Sequence, residues 1–402
     1  MALPNKNIEV SFFLDLFFKE KSFPFFIKTI TNTLLKSVVY KRNAISTLDL
    51  KTYAITDIPS YFSLQIDEEN ANIKSVSVPL YAGFLINLSN FANLEDYLNN
   101  KLGRPRKSQL KRYRKRLDLC IAPKYKIFYG AITREDYKLL FKELLLITER
   151  RFIQKKELNF ELPFLKLYED MMFDMVLKKQ AAIFAIYHGD KPINITLNFI
   201  DGETIFHWNS CYNIDYQMFN LGHINMVNHL EWAYNNNFKL FDMSRGDFLH
   251  KRKYITESYM YNKSIIFNSK SVFATIIARF TAFKLKLRFK LIGLLKKINF
   301  HKLYGYYAKL KFKIKKPSAG DTSENKIIAD YNLPEIHLVK NLKEIDLDNK
   351  EFSFLIQARN YFLHKSQEFV NDVKVYKDLK NDQIFYFKGI KKNQKTTIQK
   401  TS

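Results

Sequence analysis

The chain has 402 residues, 47% hydrophobic and 15% aromatic, which suffices for two domains and a sizeable core and excludes a disordered polymer. Sixty-five Lys and Arg against 40 Asp and Glu leave a net charge of +25, which points to anionic partners: nucleic acid, lipid headgroups, polyanionic glycans or phosphorylated cofactors. Two cysteines, Cys120 and Cys211, stand far apart in no metal or redox spacing, which excludes a disulfide framework and fits a reducing compartment.

Along the chain, Ser11–Lys21 and Phe25–Val38 read as helices, Lys51–Ile55 and Ser60–Gln65 as short strands, and Val78–Ser89 as a buried strand. Asn93–Leu119 predicts a helix or helix pair, with Leu94, Tyr97, Leu98 and Leu102 at helical spacing and a bend allowed at Gly103-Arg104-Pro105. A strand at Tyr125–Tyr129 precedes helices at Arg134–Phe152, striped by Tyr137, Leu140, Phe141, Leu144 and Leu145, and at Phe164–Lys178. Ala181–Tyr187, Pro192–Phe199 and Thr204–Tyr212 then predict an antiparallel meander, turning at His188-Gly189-Asp190 and Asp201-Gly202-Glu203. A helix from Gly222, a strand at Phe238–Met243 and a closing strand at Ser258–Phe267 follow.

Residues 271–315 read as basic amphipathic helices, which suit either an anionic membrane surface or packing onto the body of the protein. Lys316–Asn325 reads as a linker. The remainder offers one helix (Phe352–Val370), one strand (Ile384–Phe387) and a frayed lysine-rich end. The domains expected are thus 1–122, 123–268, 269–315 and 316–402. No 18-residue apolar run lacks charge and the N-terminus has no cleavable leader pattern, so cytoplasmic residence is expected, with the inner membrane face open as its address.

Two stretches carry candidate chemistry. Gly222 opens a helix whose first amides, from Gly222, His223, Ile224 and Asn225, would face an anion; the rival is a turn glycine before a core helix. The strand ending in Asp242-Met243-Ser244-Arg245-Gly246-Asp247 sets acids and a base at a sheet edge, with His250 and Lys251 following. Asp242, Asp247 and His250 are candidate acids or bases, and Arg245 and Lys251 candidate anion binders; ion pairs holding the loop are the rival. His207 and Trp208 point to opposite faces of their strand, and one would line an acceptor site. Tyr254 and Tyr259 are possible proton donors to a leaving group, but among 24 tyrosines neither stands out. Nine cations in the sixteen positions Lys101–Arg116 suit a phosphate backbone or a solvated helix. The eight histidines show no metal spacing, so no metal is expected.

The ordered set Tyr212, Asp215, Gly222, Ala233–Asn237, Asp242, Arg245, Gly246, Asp247 and Lys251 resembles the GNAT-fold acyltransferases of CelD-like type, relatives of the Fem-type (FemAB-like) peptidyltransferases. The basic stretch Gly103–Leu119 and Glu149-Arg150-Arg151-Phe152 are similar to features upstream of the same domain, so the resemblance covers roughly 83–267. It implies an α/β (α+β) fold: a mixed, mostly antiparallel sheet flanked by helices, with room for a degenerate second GNAT-like half at the N-terminus. It implies transfer of an acyl group from acetyl-CoA or another acyl-CoA to an amine on a sugar nucleotide or cell-envelope glycan precursor, as in polysaccharide biosynthesis. The pattern departs at Leu221, where the family has Pro, and at Ile224, where it has Gly or Ala. That departure and the charge keep open an aminoacyl-tRNA donor, and a non-catalytic polyanion-binding module remains a third reading.

Overall fold

Of the two early stretches expected to be helical, Ser11–Lys21 holds a single π-helical turn at Phe12–Phe17, whereas Phe25–Val38 falls mainly in strands. The computed structural model describes residues 8–42, 52–67, 72–246, 249–297, 312, 326–330 and 341–399. Strand β1 (Ile8–Ser11) runs into a single π-helical turn, Phe12–Phe17, followed by β2 (Ile27–Asn32), β3 (Ser37–Lys41), β4 (Tyr53–Pro59), β5 (Phe62–Ile66) and the long β6 (Ile73–Asn87). The physical reason is that this segment lacks a polar helical face. Its phenylalanines pack on one another, and Ile27 and Ile30 are both buried because the register against β5 shifts between Ile27 and Thr29. Lys36, with φ of +54°, turns the chain between β2 and β3.

Helices α1 (Leu94–Tyr97) and α2 (Gly103–Ile121) flank a π-turn at Leu98–Leu102, with Gly103 at φ +76° making the bend. Next come β7 (Lys124–Phe128), α3 (Arg134–Lys155) and α4 (Leu162–Leu177). Thr133 caps α3, its hydroxyl accepting from the Asp136 amide at 3.0 Å, and the buried stripe of α3 includes Tyr137, Leu140, Phe141 and Leu144. The meander is β8 (Ala181–His188), β9 (Lys191–Asp201) and β10 (Thr204–Tyr212); then follow α5 (Leu221–Asn235), β11 (Leu240–Arg245), α6 (Leu249–Arg252), β12 (Glu257–Asn268) and α7 (Val272–Lys297). The C-terminal part contributes β13 (Lys326–Asp330), β14 (Leu342–Glu344), α8 (Ile356–Ser366), β15 (Lys374–Asp378), β16 (Ile384–Lys388) and β17 (Asn393–Gln399).

The chain divides into two compact units: 1–101, 198–208 and 233–307 form one, and 102–197, 209–232 and 308–402 the other. In the first, strands run in the order β1-β4-β12-β6-β11-β10, with β1–β4 and β10–β11 parallel and the remaining registered pairs antiparallel. A small sheet β3-β2-β5 lies in the same unit. The second unit holds β7-β8 and the first part of β9, with α3 and α4, and the antiparallel sheet β13-β17-β16-β15-β14. The main sheet is mixed and mostly antiparallel with flanking helices, the α/β (α+β) fold that the resemblance implies.

The helix and the strand expected after residue 325 are present as α8 and β16, but β16 joins four further strands in a sheet, and the end expected to fray forms β17. Buried positions explain why: Phe362, Leu363, Phe387 and Ile398 join Leu117, Cys120, Ile186 and Ile193 in one hydrophobic cluster of the second unit. Of the basic helices expected over 271–315, Val272–Lys297 is described as α7; 298–311 and 313–325 lie outside the described residues.

Candidate functional site

The pairing of β11 with β6 steps from Asp242↔Leu85 to Arg245↔Gly83, three residues against two. This is a β-bulge, and Ser244 absorbs it in the left-handed region at φ +61°. The turn aims the Ser244 amide back at Asp242, whose Oδ1 accepts it at 2.6 Å.

Asp242 is only 1% exposed. Tyr61, in the turn between β4 and β5, donates to its Oδ2 at 2.5 Å. The Tyr259 hydroxyl lies 2.8 Å from Oδ1, 2.7 Å from Oδ2 and 2.8 Å from the Tyr261 hydroxyl. A phenol has one hydrogen, so beside an ionised carboxylate Tyr259 donates to Asp242 and accepts from Tyr261. Ser244 Oγ continues the chain, 3.4 Å from the Tyr261 oxygen. Tyr259 reaches this position because Gly83, opposite it on β6, has no side chain: a Cβ there would come within 2.2 Å of the ring.

Burial pushes the Asp242 pKa above the usual carboxylate range, against the pull of the Tyr61, Tyr259 and Ser244 donors. Burial and the neighbouring carboxyl likewise raise Tyr61, Tyr259 and Tyr261. The Lys251 ammonium donates to the carbonyls of Met243 at 2.6 Å and Arg245 at 2.7 Å, tying α6 to the bulge. Burial, with the Arg245 charge adding to it and Asp242 opposing, brings the Lys251 pKa down to about 8. Arg245 itself is exposed; its guanidinium donates to the Tyr81 hydroxyl at 3.3 Å, and that hydroxyl bonds Asp57. Burial, then Asp57, pushes the Tyr81 pKa up to about 12.

Of the residues singled out in the sequence, Asp242, Arg245 and Lys251 therefore share one network. His207 stands on the neighbouring strand with its ring 5.7 Å from Phe241, and Trp208 packs edge-on against Phe13, Phe18 and Phe199. Tyr254 is buried, and its carbonyl accepts from the Tyr97 hydroxyl at 2.6 Å. Asp247 lies outside the described residues, as does the side chain of His250, whose backbone lies in α6. Tyr61, Tyr81, Tyr261, Asp57 and Gly83 were not singled out; the only local signal was the period-two pair Tyr259 and Tyr261.

In the second unit, Gly222 is exposed, with nothing within 4 Å of where a Cβ would stand. The His223 and Ile224 amides bond the Asn220 carbonyl at 2.9 and 3.3 Å. The Ile224 side chain is buried, and Asn225 donates inward to Thr196 Oγ1 at 2.6 Å. His229 stacks on Phe184 at 3.7 Å, and burial lowers its pKa to about 4. Burial also lowers His188, hydrogen-bonded to Tyr216, to about 4, and pushes the Cys211 thiol up, so none of these three is poised near neutrality. Among the described residues no cluster of His, Cys, Asp or Glu could hold a metal ion.

Residues 104–252 match the acetyltransferase (GNAT) domain family. That stretch is thus similar to a GNAT-type acetyltransferase domain. Among solved structures, it is similar to the C-terminal domain of a putative lysylphosphatidylglycerol synthetase from Agrobacterium fabrum, at 10% identity over 58% of this chain and 73% of that one, with a TM-score of 0.36. FemX is similar at 9% identity over 55% and 73%, with a TM-score of 0.37. A tandem GNAT protein from the clavulanic acid pathway is similar at 12% identity over 53% and 63%, with a TM-score of 0.30. At these values the likeness reaches neither individual residues nor chemistry. No curated protein matches the sequence.

Proposed function

We propose that this protein transfers an acyl group from an acyl-CoA to an amine borne by a sugar nucleotide or a cell-envelope glycan precursor. The observation that supports this reading is the match of residues 104–252 to the acetyltransferase domain. In the reaction the amine nitrogen attacks the thioester carbonyl, a C–N bond forms, the C–S bond breaks, and the proton lost by the amine ends on the thiolate or in solvent. Asp242, its pKa raised by burial, is the proton acceptor, working through the Tyr259–Tyr261–Ser244 hydroxyls because it is itself sealed from solvent. Arg245, exposed at the strand end, offers a fork for a phosphate or carboxylate of the acceptor. The start of α5, exposed at Gly222, is the donor's pyrophosphate site, which requires the His223 and Ile224 amides to exchange the Asn220 carbonyl for phosphate oxygens, and His207 contributes to acceptor binding. Asp247 and His250 are further candidates for proton transfer.

A second reading, an aminoacyl-tRNA donor, is favoured by Ile224, which fills a position where a CoA-binding turn has a small residue, and by the +25 charge. Calorimetric titration with acetyl-CoA followed by thiol release over a panel of amino sugars tests both. CoA binding with thiol release supports the first reading; no CoA binding with salt-sensitive tRNA binding supports the second. Binding of polyanions without turnover of either donor would leave a binding module.

A further inference from the structure

Helix α7 is packed the opposite way from a helix in water. Its small residues Ala278 and Ala282 are buried against Val78, Ile265 and Phe267 of the first unit. Its large ones face outward: Phe273 is 57% exposed, Ile276 60%, Phe280 66%, Phe283 63%, Leu287 56% and Leu291 54%. At about 100° per residue these six fall within an arc of roughly 80°. Single exposed apolar residues need no explanation, but a continuous stripe along about five turns does. On the same wheel the exposed cations Arg279, Lys286 and Lys290 border one edge of the stripe, and Lys284 and Arg288 the other. The sequence contains no acid between Glu257 and Asp321.

We propose that α7 lies flat on an anionic lipid surface, its outward stripe sunk into the boundary between headgroups and acyl chains and its flanking cations on lipid phosphates. Charge decides for this occupant over a second copy of the chain, since pairing two such helices would set acid-free cationic edges against each other. Among the described residues no helix is long and apolar enough to cross a membrane, so α7 lies in the interface. The inference does not depend on the transferase reading, and its test reads lipid binding and not turnover.

The test is sedimentation of the full chain with vesicles of phosphatidylcholine alone and of phosphatidylcholine mixed with phosphatidylglycerol. Binding to the mixed vesicles is expected to be at least about tenfold tighter and to weaken with salt. Phe280→Ser with Leu287→Ser is expected to cut it about tenfold or more while thermal unfolding stays unchanged, because both side chains point outward. Lys286→Gln with Lys290→Gln should weaken only the phosphatidylglycerol component. Absence of vesicle binding, equal binding to both lipids, or binding unchanged by the apolar substitutions overturns the proposal. So would self-association that the same substitutions abolish, occurring in place of vesicle binding.

Discussion

A carboxyl as deeply buried as Asp242 cannot touch an acceptor amine, so its influence must pass through the tyrosine hydroxyls around it. Under the acyltransferase reading, Asp242→Asn should lower kcat/KM by about 100-fold or more and remove the acidic limb of the pH–rate profile; a profile of unchanged shape would count against it. Arg245→Ala should abolish turnover with a stability loss below about 1 kcal/mol, because the side chain is exposed. A large drop in Tm with activity per folded molecule retained would mark Arg245 as structural. Lys251 supplies a pH test. Its folded pKa, about 8, lies below that of the unfolded chain, so its contribution to stability is complete above the unfolded value and fades as pH falls through about 8. Thermal melts between pH 7.5 and 10.5 should therefore rise less steeply with pH in Lys251→Met than in the parent. The charged members of this network were legible in the sequence because Asp242, Arg245 and Lys251 sit within ten residues of one another. The tyrosines were not. Tyr61 is far away along the chain, and which of 24 tyrosines meet one carboxyl is fixed by strand register, which no local pattern states.

Between elements, the facing of β6 and β12 at Gly83 and Tyr259 sets how close a phenol comes to β11. Gly83→Ala would force a methyl into a ring 2.2 Å away and should destabilise the chain by about 1–3 kcal/mol in denaturant titration. An unchanged midpoint would mean that the ring can swing aside, and the Asp242 contact with it. The same dependence on partners explains where sequence reading failed for the fold. The meander, α3 and α5 carry their own periodicity and turn residues, and their positions were readable to within a few residues. The segments around β2 and β3 do not: runs of phenylalanine fit helix or strand alike, and β5, on the far side of β4, decides the matter by pairing with β2.

For the molecule as a whole, the C-terminal sheet and α8 are part of the second unit's core. Phe362→Ala should cost about 3–5 kcal/mol, read as an earlier unfolding transition. Asn360 makes the same point with a polar contact: its side-chain amide donates at 2.9 Å to the carbonyl of Asp215, whose carboxylate takes a two-pronged grip from Arg150 at 2.8 and 2.9 Å. Because Ile398 shares a cluster with Leu117 and Ile193, the hydrophobic interior around those early residues stays incomplete until the segment around residue 398 has left the ribosome. Vectorial synthesis therefore cannot finish this unit piece by piece. A nascent polypeptide stalled before residue 360 would display sticky surface to chaperones, and a premature stop codon just ahead of residue 398 would be as damaging as one far upstream.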